Sequence, residues 1–166
     1  MTVTSVVPDQ QARTLTLTAE YPAPVQQVWQ LWADPRLLER WWGPPTYPAT
    51  FTELDLRSGG RASYYMTSPE GDRYNGWWSF TDVTAPTAVE FDDGFSDEHG
   101  TPSPSMPVTH ARVTIEDAGD GTTRMVMSST FPTDEAMEQL MTMGMVEGLT
   151  MAVGQIDDLL AELVSR

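Results

Sequence analysis

Two side chains in this sequence, His99 and His110, titrate near neutral pH in their ordinary state, and they are the first candidates for acid-base chemistry. Thr109, Ala111, Val113 and Ile115 form the apolar face of a strand, which leaves His110 on the opposite, solvated face with Arg112, Thr114 and Glu116. His99 lies between Glu98 and Gly100 in a polar stretch and reads as a surface residue. Neither is expected to carry a reaction, and they are not spaced as metal ligands. Glu53 and Asp55 share a strand face with Arg57. Desolvation beside a cavity would raise a carboxylate's pKa enough for it to act as a general base, but an exposed face with local pairing is the simpler reading. Of Tyr64, Tyr65 and Ser129, only Tyr64 and Ser129 fall on inward faces, where each could orient a ligand by hydrogen bonds. Gly59-Gly60 has no helix after it and makes no phosphate cradle. The serines lack a nucleophile-elbow pattern. With no cysteine there is no thiolate nucleophile and no disulfide. No metal or cofactor is expected; whether a reaction is catalysed stays open, and if one is, Tyr64, Ser129 or a desolvated Glu53 is a better candidate than either histidine.

These groups must be positioned by a chain of 166 residues with nine arginines, no lysine and 24 acidic residues, a formal charge of -15. At this length one domain can bury roughly 70% of the surface its unfolded chain exposes, without covalent staples. Scattered arginines on so acidic a chain do not suit nucleic acid or an anionic membrane. No run approaches the roughly 20 apolar residues of a spanning helix, and no secretory signal is visible at the start. The expected location is the cytoplasm.

Residues 13–20 alternate, with Leu15, Leu17 and Ala19 on one face, and form the first expected strand. Pro24 then opens a short helix with Val25, Val28, Trp29 and Trp32 on one side, and Asp34-Pro35 caps a second that stops at Gly43-Pro44-Pro45. Six further strands are expected at about 50–57, 61–67, 73–82, 88–92, 108–116 and 122–131, with 93–107 as a long loop. From Thr133, an apolar face through Met137, Met141, Met145, Gly148, Ala152, Ile156, Leu159 and Leu163 predicts about 30 helical residues, with a break near Gly144. The plan is α+β: a curved antiparallel sheet of about seven strands wrapped around a long C-terminal helix, with a cavity between them. Residues 12–164 are expected to form the domain and 1–11 an N-terminal extension.

Several motifs, in this order, carry a family likeness: Trp41-Trp42-Gly43-Pro44, Leu56-Arg57-Ser58-Gly59-Gly60-Arg61, Pro69-Glu70-Gly71, Gly76, Gly121-Thr122-Thr123 and Met143-Gly144-Met145-Val146-Glu147-Gly148. Together they resemble the activator of heat-shock-protein ATPase homologue-like family, of the START-like (SRPBCC), helix-grip superfamily that also holds polyketide cyclases. Members often carry tryptophan after the final glycine, where this chain has Leu149. The resemblance implies a cavity for a small hydrophobic or aromatic molecule. Strand parity and the methionine spacing place Trp42, Tyr64, Trp78, Phe91, Met127, Ser129, Met141 and Met145 around it as ligand-binding residues. Cyclase-like or other acid-base chemistry is left open, and so is a homodimer. The alternative from another class is a co-chaperone-like domain that activates an ATPase by surface contacts and holds no small ligand.

Overall fold

A computed structural model describes residues 3–164. It contains eight strands, β1 (Val3–Asp9), β2 (Thr14–Tyr21), β3 (Ala49–Leu54), β4 (Arg61–Thr67), β5 (Arg73–Thr84), β6 (Ala88–Ser96), β7 (Thr109–Gly119) and β8 (Thr122–Thr130). Helices α1 (Val25–Ala33) and α2 (Pro35–Trp41) follow β2, and α3 (Asp134–Thr142), α4 (Met145–Gly154) and α5 (Ile156–Val164) close the chain. The strands form one antiparallel sheet in the order β1-β2-β8-β7-β6-β5-β4-β3. The architecture is the helix grip expected, with one strand more than the seven read from the sequence. The addition, β1, pairs with β2 at the sheet edge, and most of its residues are exposed.

The period-2 pattern of β2 is reproduced residue by residue, since Leu15, Leu17, Ala19 and Tyr21 are buried and the alternate positions are not. Asp34 caps α2 by accepting from the Arg36 N–H, with Pro35 in the first turn. The C-terminal helix is divided in three. Gly144 adopts φ +92°, a left-handed conformation that favours glycine, and it separates α3 from α4. A second interruption falls at Gln155, whose side-chain amide donates to the Gly43 carbonyl at 2.7 Å and so ties the helix to the end of the α2 segment. No helix among the described residues is long and apolar enough to cross a membrane.

The core beneath the helices is strongly aromatic. Trp78 stacks on Phe91 with centroids 4.4 Å apart and meets Trp42 edge-on at 4.8 Å, while Trp32 meets Trp41 edge-on at 4.9 Å. A smaller cluster of Leu15, Phe131, Met137 and Leu140 packs separately, with Phe95, Met145 and Leu149 against it. Strand β6 extends four residues past its expected end, to Ser96. The stretch expected to be loop from Asp93 onward therefore begins inside the sheet, a change that matters for the site.

Candidate functional site

Between the sheet and the α3–α4 turn lies a cavity of about 310 Å³. Strands supply Tyr64, Met66, Gly76, Phe91, Asp93, Phe95, Ala111, Met127 and Ser129, the helical side supplies Met143, Met145, Gly148 and Leu149, and Trp42 closes one end. Tyr74 and Met143 also border it, and both are more than half exposed, so that side opens to solvent. Six of the eight residues singled out from the sequence therefore meet around one space: Trp42, Tyr64, Phe91, Met127, Ser129 and Met145.

Two do not. Trp78 is 1% exposed and sits behind the wall, wedged among Trp42, Phe91 and Phe51. Its parity is inward as expected, but the rings on either side cover it. Met141 packs on the cluster of Leu15, Phe131, Met137 and Leu140, because the break at Gly144 redirects the helix and leaves Met145 over the cavity without it.

One polar pair marks the cavity. Asp93 occupies the inward row of β6, continuing Val89 and Phe91, and pairs in register with Trp78 on β5 and Thr109 on β7. The Tyr64 hydroxyl donates to its Oδ1 at 3.3 Å. This contact spans a whole strand: Tyr64 is on β4, Asp93 on β6, and Gly76 of β5 lies between them, in register with Tyr64. A Cβ on Gly76 would fall 2.4 Å from Tyr64 Cζ and 2.5 Å from its hydroxyl oxygen, so the absent side chain is what lets the ring lie across β5. The indole N–H groups of Trp42 and Trp78 are buried beside this pair without well-formed hydrogen bonds.

Burial pushes Asp93 up to about 7, although the Tyr64 hydroxyl and the Trp78 indole close by favour its ionised form. Tyr64 is itself held well above the ordinary tyrosine value, chiefly by burial and then by the facing carboxylate. Among the described residues, Asp93 has no cationic side chain within ion-pair distance. It can exchange a proton near neutral pH, donate or accept a hydrogen bond, or face a positive charge brought by a ligand.

The other candidates lie elsewhere. His110 is on the outer sheet face, as read, but it is held there by carboxylates, with Nδ1 2.9 Å from Asp92 and Nε2 3.1 Å from Glu90. Its pKa is raised, first by the Asp92 hydrogen bond and also by Glu90. His99 is exposed beside Glu98. Glu53 pairs with Arg61 at 3.3 Å and Asp55 with Arg57 at 2.9 Å, all on the surface. Tyr65 points outward, its ring under the Arg73 guanidinium. Asp93 was missed because it opens the proline-rich stretch 93–107, which reads as a loop. The signal that could have found it is the alternation Val89, Phe91, Asp93, Phe95, in which one carboxylate stands in an otherwise apolar row.

Sheet, grip and cavity together define a START-like helix-grip domain. The chain belongs to the Activator of Hsp90 ATPase homolog 1-like protein family, whose model matches residues 22–161. It is similar to protein Ms6760 from Mycobacterium smegmatis at 46% identity and a TM-score of 0.88, over 95% of this chain and 96% of that one. It also resembles a protein from Arthrobacter aurescens at 50% identity and a TM-score of 0.92, over 97% and 93% of the two chains. A protein from Staphylococcus epidermidis is 26% identical with a TM-score of 0.82, over 94% of each chain. No curated protein matches the chain.

Proposed function

We propose that this protein binds a small, largely apolar or aromatic molecule in the cavity between its sheet and its C-terminal helices. The observation that carries the reading is the cavity itself. Its 310 Å³ reaches the lower end of small-molecule sites, about 300 to 1,000 Å³, and its walls are mostly aromatic, methionine and aliphatic side chains with a few polar groups. Its opening beside Tyr74 and Met143 gives a small molecule a way in from solvent. The methionines Met66, Met127, Met143 and Met145 give the lining the adaptability that suits ligands of varied shape. Among the described residues, the exposed large apolar side chains are Val7, Tyr74, Val108, Met143 and Met151, and two of these, Tyr74 and Met143, border the cavity. This favours a small occupant over a docked protein partner.

The test is native mass spectrometry of the purified protein, with extraction of whatever accompanies it, beside a Gly148→Leu variant. Gly148 borders the cavity on α4, and a Cβ there meets nothing within 4 Å, so the backbone has room for a side chain that takes up space beside the cavity. Leucine should also strengthen the helix by about 0.5 to 1 kcal/mol. The wild type should carry a small-molecule adduct, or gain thermal stability from apolar aromatic probes, and the variant should lose both while remaining folded. A variant that binds as the wild type does would sink the proposal.

A further inference from the structure

We infer that the ligand is an organic amine, an apolar or aromatic body carrying one protonated nitrogen, with the nitrogen seated at Asp93 and the body against Trp42, Phe91, Met127 and Met145. This rests on the cavity reading above and specifies its chemistry. Among the described residues, Asp93 is the only carboxylate lining the cavity, and no arginine or histidine lines it with Asp93; the other ionisable side chains there are the tyrosines Tyr47, Tyr64 and Tyr74. Buried carboxylates are ordinarily paired with a cation, because an isolated charge in an apolar surround is costly. Here the protein supplies a hydroxyl at 3.3 Å and no counter-charge among the described residues, so the missing partner is one a ligand can bring.

The surroundings favour the same sign. Trp42, Tyr47, Tyr64, Tyr74, Phe91 and Phe95 give the cavity aromatic walls whose ring faces attract cations. The chain's charge of -15 adds a field that draws cations and repels anions. A carboxylate or phosphate ligand would meet Asp93 with no arginine to offset it, and a neutral hydrocarbon would leave the carboxylate unanswered. An ammonium forms the ion pair, keeps the Tyr64 hydrogen bond on the ionised form of Asp93, and presents its carbon skeleton to the methionines and rings.

Proton linkage follows from the geometry. The groups facing Asp93 are the Tyr64 hydroxyl from β4, the Trp78 indole from β5 and Thr109 from β7, while Asp92 and His110 lie on the other side of the sheet. Asp93, whose value lies at about 7, must therefore give up the proton it holds when an ammonium arrives. Amine affinity should rise from pH 5.5 to 8.5, with release of a fraction of a proton per ligand at pH 7.

Isothermal titration calorimetry with 2-(aminomethyl)naphthalene and its neutral counterpart 2-naphthylmethanol tests this at pH 8. The amine should bind the wild type at least tenfold more tightly than the alcohol. Asp93→Asn should bring the two within about threefold, chiefly by weakening the amine, and Tyr64→Phe, which keeps the carboxylate, should retain the preference. In the wild type, amine affinity should climb with pH while that of the alcohol stays flat, a comparison that needs no variant. Equal affinities for the two probes, or an amine preference that survives Asp93→Asn, overturns the inference and leaves the cavity proposal standing. Tighter binding of 2-acetonaphthone at pH 5.5 than of the amine at pH 8, lost in the wild type as pH rises but kept at both pH values by Asp93→Asn, would also overturn it by making Asp93 a neutral donor to a carbonyl. Binding of none of these probes, together with no adduct on the purified protein, overturns both readings.

Discussion

Replacing Asp93 with asparagine should stabilise the ligand-free protein, by an amount that grows with pH. Burial raises the carboxyl from 3.8 to about 7. Between those values the folded chain holds a proton that the unfolded chain has released. The stability owed to that proton is fully present below pH 3.8, is lost progressively as pH rises, and falls no further above about 7. The two values differ by about three powers of ten in proton affinity, so the full effect is about 4 kcal/mol at 1.36 kcal/mol per tenfold change. Asparagine has nearly the shape of the protonated acid and does not ionise. Its advantage should therefore grow by about 2 to 3 kcal/mol between pH 5 and pH 8 and then level off.

Urea unfolding followed by tryptophan fluorescence, at pH 5, 6, 7, 8 and 9 for both proteins, measures this directly. All other carboxylates and both histidines titrate alike in the pair, so their contributions cancel in the difference. At 2 to 4 °C per kcal/mol for a chain of this size, the variant's melting temperature at pH 8 should lie at least several degrees above that of the wild type. A difference that stays constant across the series, or shrinks as pH rises, would show that Asp93 is not desolvated and would remove the reasoning above.

Two further outcomes bear on the same end of the molecule and on its outer face. Gly76→Ala should destabilise by about 1 to 3 kcal/mol, as an overpacked site does, because the new Cβ meets Tyr64 Cζ at 2.4 Å and the ring must swing away; unchanged urea stability would refute it. His110→Gln should lower stability more at pH 6 than at pH 9. The Asp92 and Glu90 contacts raise the histidine's pKa, so its contribution is present in full below 6.5 and lost as pH rises through the folded value. A loss equal at both pH values, in paired urea titrations, would count against that pairing.

What could be read from the sequence followed the clarity of its periodicity. The alternation at Leu15, Leu17 and Ala19 and the face from Met137 to Leu163 each had one buried side, and the structure buries Leu15, Leu17, Ala19, Met137, Ala152, Ile156 and Leu159. Strand β1 left no such trace. It is an edge strand with a register shift between Val3 and Ser5, and only Val3 and Val6 are partly covered, so no alternation develops. The division of the last helix was legible at Gly144; the second, after Gly154, coincides with a contact from Gln155 to the Gly43 carbonyl, more than a hundred residues away, which local sequence does not announce. Trp78 shows the limit of parity arguments: alternation says which face a side chain takes, whereas its neighbours' size decides whether it reaches the cavity or is covered.

Asp93 shows a different limit, since here local chemistry and function pull apart. Val89, Phe91 and Phe95 show what this row of β6 accepts, and a leucine at position 93 would add apolar burial without the penalty of a desolvated carboxyl. The chain instead keeps an acid there and arranges other residues around it. Gly76 surrenders its side chain so that Tyr64 can cross a strand to reach the acid, and the indole N–H groups of two tryptophans lie beside the pair without well-formed hydrogen bonds. Neither the acid nor the glycine helps the sheet to form, since a desolvated carboxyl costs stability and a glycine weakens its strand. Departures from packing rules that converge on one atom group at a cavity wall are the pattern expected where binding, not folding, selects the residues. The aromatic core built by Trp32, Trp41, Trp78 and Phe91 supplies the stability that lets this end of the sheet carry them.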